Sequence, residues 1–256
     1  MFVAKLIGML VAFPLVGCAS LQKSNSDLLF YCSFDSERVV ATPEIGPSPS
    51  FMENVALVDG VRKKALSVTP LVPCLSIPLP AGFLGSRGCI EFWGKIEKET
   101  DFCCTDGGDP RFFCIKWEKC AEALVDMTTN NGGGRGGLHA MVPGVNLTSH
   151  LSLGRHTYSE LLAESDWKSW KHYALVWNED GIRSLPDAPR VALLINGKVR
   201  KLHGSEGHVD LETLLRQTAT LDIPRNPVNG FPDNNKTPFL IDEFKIWKTD
   251  KTDFAN

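Results

Sequence analysis

The sequence predicts an all-β fold, and three observations carry that prediction. Short runs rich in aromatic and β-branched residues recur along the chain. An Asn-Gly pair joins two of them. The 22 Gly and 16 Pro are spread through all 256 residues, which suits many short elements separated by turns. With 43% hydrophobic and 22% charged residues the chain has enough apolar material for a sizeable core, which excludes a disordered or collagen-like protein. A formal net charge of −3 excludes a general nucleic-acid binder, which would be basic.

Taken in order, the chain opens with Lys5 as its one early charge and an uncharged, mostly apolar run from Leu6 to Val16, the pattern of a secretory signal. A membrane-spanning helix needs about 20 apolar residues. This run contains Pro14 and stops at Gly17. Leu15-Val16-Gly17-Cys18 resembles the bacterial lipoprotein box, in which the cysteine is acylated and becomes the new N-terminus. The expected organisation is a signal peptide over 1–17, a lipidated Cys18 with a polar tether over 18–27, and one domain over 28–256. The expected location is the cell envelope, lipid-anchored and facing the periplasm or the exterior.

Strands are predicted at Leu28–Phe34, Cys89–Trp93, Phe112–Trp117 and His172–Trp177. Val191–Ile195, Asn196-Gly197 and Lys198–Leu202 form the strongest hairpin signal in the chain. Pro238–Trp247 alternates Leu240, Asp242, Phe244 and Ile246 on one face with Ile241, Glu243, Lys245 and Trp247 on the other. Helical periodicity is confined to brief stretches after Ser159 and Asp210. Gly/Pro-rich stretches at 43–49, 130–137 and 224–232 read as loops, because strands resume after each.

Six segments, in order, resemble the LamG-like members of the concanavalin A-like lectin/glucanase superfamily. They are Phe30–Asp35, Gly60–Leu66, Cys89–Trp93, Trp170–Trp177, Leu194–Lys198 and Ile241–Trp247. Lys64 stands where Gly is usual before the Ala65-Leu66 pair. The resemblance spans Leu28 to Lys248 and implies a two-sheet antiparallel jelly-roll sandwich whose first and last strands are neighbours. Through that neighbourhood it implies that Asp35 and Asp242 converge, which makes them the candidate ligands of a structural calcium ion. It also implies a non-catalytic recognition module whose first expected ligand is carbohydrate. The alternatives are an envelope-scaffolding module that binds a protein partner and, less well supported, a glycoside hydrolase.

Hydrolysis needs two carboxylates set across the scissile bond. Glu97, Glu99 and Asp101 lie at period two, but Lys98 and Thr100 between them are polar and give the run no anchor in a core; a solvated turn explains it better. Glu164 and Asp166 lack a third acid. The glycine-rich stretch 130–137 lacks both a following helix and a Gly-Lys-Ser/Thr ending, so it reads as a hairpin tip and not a phosphate loop. Its Arg135 is a candidate for hydrogen bonding to a ligand. Sugar rings stack on exposed indoles. Trp93, Trp170, Trp177 and Trp247 lie in strand motifs and are expected in the core, which leaves Trp117 and Trp167 as candidate ligand contacts. His172 reads as a satisfied structural residue. Cys32 and Cys89 are expected in the core. Cys103, Cys104, Cys114 and Cys120 cluster as candidate disulfide formers, with buried thiols or a metal site as open alternatives.

Overall fold

The computed structural model describes residues 27–68, 75–96, 111–117, 125–130, 137–141, 151–152, 169–200, 216–223 and 239–254. Strands dominate these residues, in the order β1 (Leu28–Cys32), β2 (Phe51–Met52), β3 (Ala56–Asp59), β4 (Lys64–Val68), β5 (Leu75–Leu79), β6 (Arg87–Ile96), β7 (Arg111–Trp117), β8 (Val125–Asn130), β9 (Gly137–Met141), β10 (Leu151–Ser152), β11 (Lys171–Asn178), β12 (Val191–Ile195), β13 (Lys198–Arg200), β14 (Ala219–Ile223) and β15 (Phe239–Trp247). One short helix, α1 (Glu37–Ala41), follows β1. Ser36 caps it by accepting from the Val39 N–H at 3.3 Å, and Val40 turns its side chain into the core.

Two antiparallel sheets are formed. The first runs β13-β12-β11-β6-β15-β4-β3, with β1 also on β15; the second runs β10-β9-β8-β7-β14-β5-β2. The hairpin at Asn196-Gly197 forms as expected, both turn residues having positive φ. The predicted hairpin tip also falls in place, since Asn130 and Gly137 face each other at the ends of β8 and β9.

The sheets meet over an aromatic core centred on Phe92. Its ring lies 5.4 Å from Tyr173 and 5.9 Å from Phe244 within its own sheet, and 5.2 and 5.8 Å from Phe112 and Phe113 of the other. Gly94 makes the ring cluster possible, because a Cβ there would lie within 3.0–3.1 Å of Phe92, Tyr173 and Phe112. The outer face of the first sheet is apolar too. Cys89, Ala174, Val176, Leu194 and Trp247 are buried there beneath Ile182, Leu185 and Phe254.

Strict alternation along the last strand does not hold. Ile241, Phe244 and Ile246 all enter the inter-sheet core, because Glu243 adopts φ 54° and the register with β6 slips between Asp242 and Lys245. This bulge places one extra residue in β15 and resets its phase. A second slip, between Arg111 and Phe113 on β7, sends both Phe112 and Phe113 inward. Trp93 and Trp170 also depart from expectation. Trp177 and Trp247 are buried, but Trp93 and Trp170 are half-buried, and Trp93 lies on the outer face because it alternates with inward-facing Phe92.

Candidate functional site

β15 pairs with β6 along one side. Along the other, Phe239–Ile241 pair with β4 and Phe244–Trp247 pair with β1. The partner changes at the bulge, which leaves a notch in the sheet beside Asp242. The turn Gly60–Lys63 between β3 and β4 fills it, closed by the Gly60 N–H donating to the Lys63 carbonyl at 3.0 Å. Asp242 Oδ2 accepts from the Val61 N–H at 2.7 Å. Gly60 permits the approach, since a Cβ there would stand 2.6 Å from the same oxygen and 2.7 Å from the Lys64 carbonyl. Asp35 grips the turn from the other side, accepting from Lys63 Nζ at 2.8 Å and from the Lys64 N–H at 3.5 Å.

The two carboxylates therefore bind the same turn. Their electrostatics differ. Burial pushes the Asp242 carboxyl up to about 6, against the pull of the Val61 amide, and the neighbouring Glu243 charge adds to the rise. Its Oδ1 is buried without a hydrogen-bond partner. Slight burial acts the same way on Asp35, but Lys63 and the Lys64 N–H outweigh it and hold that carboxyl below its ordinary value. An orphaned carboxylate oxygen suits a hard cation; an oxygen already engaged by an ammonium suits it less. Among the described residues no group of three or more His, Cys, Asp or Glu side chains is arranged to hold a metal.

Glu243, on the bulge itself, gathers the remaining charges. Tyr31 donates its hydroxyl to both carboxylate oxygens at 3.1 Å, Lys245 lies at 3.3 Å and Arg62 at 3.8 Å. Beside them Ser33 donates its N–H and hydroxyl to Glu44.

A second polar group lies on the outer face of the first sheet, where sequence reasoning did not place one. Glu91, 4% exposed, accepts from Trp247 Nε1 at 2.8 Å and pairs with His172 Nε2 at 3.0 Å. Burial works to raise the Glu91 carboxyl, yet His172, Lys251, Lys245 and Trp247 together hold it below its ordinary value. The period-two spacing Glu91-Trp93 opposite His172 was the available signal, and it became legible only once the β6–β11 register was known.

Trp117 closes β7 opposite Ala219, whereas β8 leaves the sheet toward residues 131–136 beside Arg111. The Arg111 end of β7, where Thr128 pairs, is thus roughly 20 Å from Trp117 at strand rise. Cys114 is buried on β7, and Cys32 and Cys89 are buried as expected. Burial pushes the Cys32 thiol up to about 12 and the Cys89 thiol well above its usual range, so both are chemically quiet near neutrality. Cys18, Cys103, Cys104, Cys120, Arg135 and Trp167 lie outside the described residues, as do the acidic runs 97–101 and 164–166. A recess between β5 and β14, lined by Leu79, Phe83, Leu84, Gln217 and Ala219, encloses about 10 Å³, which admits a water molecule and no sugar ring.

Two antiparallel sheets packed face to face over one core define a β-sandwich of the jelly-roll kind. No family model matches the sequence, and no curated protein matches it. Solved structures do. The binding domain of Paraclostridial Mosquitocidal Protein 1 is similar with a TM-score of 0.57 at 13% identity, over 88% of this chain and 50% of that one. The botulinum neurotoxin serotype D ligand binding domain, solved in complex with N-acetylneuraminic acid, is similar with a TM-score of 0.54 at 16% identity, over 89% of this chain and 48% of that one. A Trypanosoma rangeli sialidase gives a TM-score of 0.54 at 11% identity, over 88% of this chain and 31% of that one. The chain spans about half the length of the two binding domains, and identities this low establish the shared fold alone.

Proposed function

We propose that the protein is a non-catalytic carbohydrate-recognition module of the LamG-like kind, carried to the cell envelope as a lipoprotein acylated at Cys18. The observation that carries the reading is the sandwich itself, shared with binding domains of which one was solved holding a sugar acid. Fold analogy of this sort supports a ligand class without naming the ligand. The chemistry of the described carboxylates supports a binding role over hydrolysis. Glu91, Asp242 and Glu243 are buried and bond to neighbouring strands and turns, which is a structural use of acids. Calcium enters the reading at Asp242, whose orphaned Oδ1 supports a cation there; Asp35 would join it by releasing Lys63.

The test is a glycan and polysaccharide panel probed with the chain from residue 24 onward, in calcium and then in EDTA. Binding in calcium that EDTA abolishes supports a calcium-dependent sugar module. Binding in both conditions retains the sugar and removes the metal. A folded protein that binds no glycan in either condition replaces this reading with a protein partner at the envelope, and release of reducing ends from a polysaccharide would overturn the non-catalytic assignment.

A further inference from the structure

Beyond Trp247 the chain turns back and lays residues 248–254 over the outer face of the eight-stranded sheet. Polar contacts tie this strap down. Lys248 Nζ lies 3.3 Å from Asp27, Asn178 Nδ2 donates to Asp250 at 2.8 Å, and Thr252 Oγ1 donates to Ser184 Oγ at 2.8 Å. The Lys248 and Asp27 side chains are 50% and 40% exposed, and pairs this open to water hold weakly.

Under the strap two side chains point at the sheet. Lys251 Nζ stands 4.4 Å from the centroid of the Trp247 ring, 5.0 Å from that of Phe254 and 3.6 Å from Glu91 Oε1. The Phe254 ring lies 5.0 Å from the His172 imidazole, which also meets Trp93 at 5.4 Å. The Trp247 indole N–H and His172 fix Glu91 in place. An anionic floor with aromatic walls is the chemistry that recognises an ammonium group, because the ring faces and the carboxylate both attract a cation. Lys245, directly opposite Glu91 in the ladder, turns its own ammonium to Glu243 at 3.3 Å. Lys251 is therefore the resident of the box, and the half-buried Trp93 offers a further apolar surface beside it.

We propose that Glu91, Trp247 and His172 form a binding site for the ammonium group of a 2-amino sugar, with Lys251 and Phe254 occupying it as an internal competitor. The choice of a sugar rests on the carbohydrate reading above; the ammonium site rests on the contacts alone. An N-acetylated sugar would leave Glu91 buried without a cation, which disfavours it, whereas a free amine restores the pair. The pyranose face would take the place that the Phe254 ring holds against His172.

The full chain in detergent, carrying Lys251→Ala, separates the two parts of the proposal. The substitution deletes a propylammonium group from the box. Propylammonium should therefore raise the Tm of Lys251→Ala saturably, while propanol does not and the unsubstituted protein does not respond. Equal response of both proteins, or an equal effect of propanol, overturns the ammonium site. A glucosamine tetramer, titrated by calorimetry, should bind Lys251→Ala at least tenfold more tightly than it binds the unsubstituted protein, and at least tenfold more tightly than the N-acetylated tetramer binds the variant. Rescue by propylammonium without that preference overturns the amino-sugar assignment, even where neutral glycans bind and the carbohydrate reading stands. Adding Glu91→Gln to Lys251→Ala should abolish the response to propylammonium. Adding Trp247→Phe, which keeps a ring in the wall, should weaken it severalfold, and an undiminished response in a folded Trp247→Phe protein argues against the box.

Discussion

Asp242 illustrates how one side chain can serve the fold and still cost stability. Its carboxyl titrates near 6 in the folded chain against 3.8 for an unperturbed aspartate. A raised acid contributes stability that is fully present below its unfolded value and lost as pH rises through its folded one, here between about pH 3.8 and 6, and the loss is about 3 kcal/mol. Asp242→Asn keeps an oxygen for the Val61 N–H and removes the charge. It should leave stability at pH 4 unchanged and raise it by about 1–3 kcal/mol at pH 8, read by urea denaturation. A calcium ion on Asp242 predicts the opposite sign at pH 8 in calcium buffer, so the same variant tests the metal. Gly60→Ala should destabilise the domain by about 2–3 kcal/mol, since the added Cβ would meet Asp242 Oδ2 at 2.6 Å and backbone at 2.7 Å, and thermal unfolding would register it. At this scale the sequence was partly legible. Asp35 and Asp242 stood out, and both bond to one turn, but the Val61-Arg62-Lys63-Lys64 segment that they grip gave no sign that it supplies the cation and the amides.

Among the elements, the strands that announced themselves are those whose composition is dominated by aromatic and branched residues, β1, β6, β7, β11, β12 and β15. β5 and β14 stayed hidden, because Leu75–Leu79 contains Pro78 and Ala219–Ile223 carries Asp222, residues that usually argue against a central strand. Helix α1 had a signal in Ser36 ahead of Glu37, too short to outweigh its all-β surroundings. The two bulges were illegible for a different reason: a bulge shifts phase by one residue, and pattern reading assumes that phase is constant. Their effect on packing is specific, since they let Phe112 face inward beside Phe113 and let both Ile241 and Phe244 enter the core, where Phe113 and Phe244 lie 5.4 Å apart. Phe92 stands against four such rings, and Phe92→Ala should cost about 3–5 kcal/mol, measurable as a fall in the denaturant midpoint without a change in its slope.

For the whole molecule, opposing titrations set a pH optimum. Glu91, held below its ordinary value of 4.5, contributes stability that is present above that value and lost as pH falls beneath it. Asp242 acts in the other direction as pH rises toward 6. Tm measured from pH 3 to 8 should therefore peak at about pH 4 and fall toward pH 6, and a profile that climbs steadily to neutrality would contradict the Asp242 assignment. Localisation is tested separately: Cys18→Ser should abolish fatty-acid labelling and move the protein out of the membrane fraction, and an unchanged distribution would remove the lipoprotein reading. The partner switch along β15 also has a kinetic consequence. Its three neighbours β6, β4 and β1 are drawn from the early part of the chain, and the Tyr31–Glu243 contact beside the bulge joins residues 212 positions apart. The first sheet cannot close until β15 has been synthesised, so β1, β4 and β6 must wait without their shared neighbour while residues 97–238, between β6 and β15, are made.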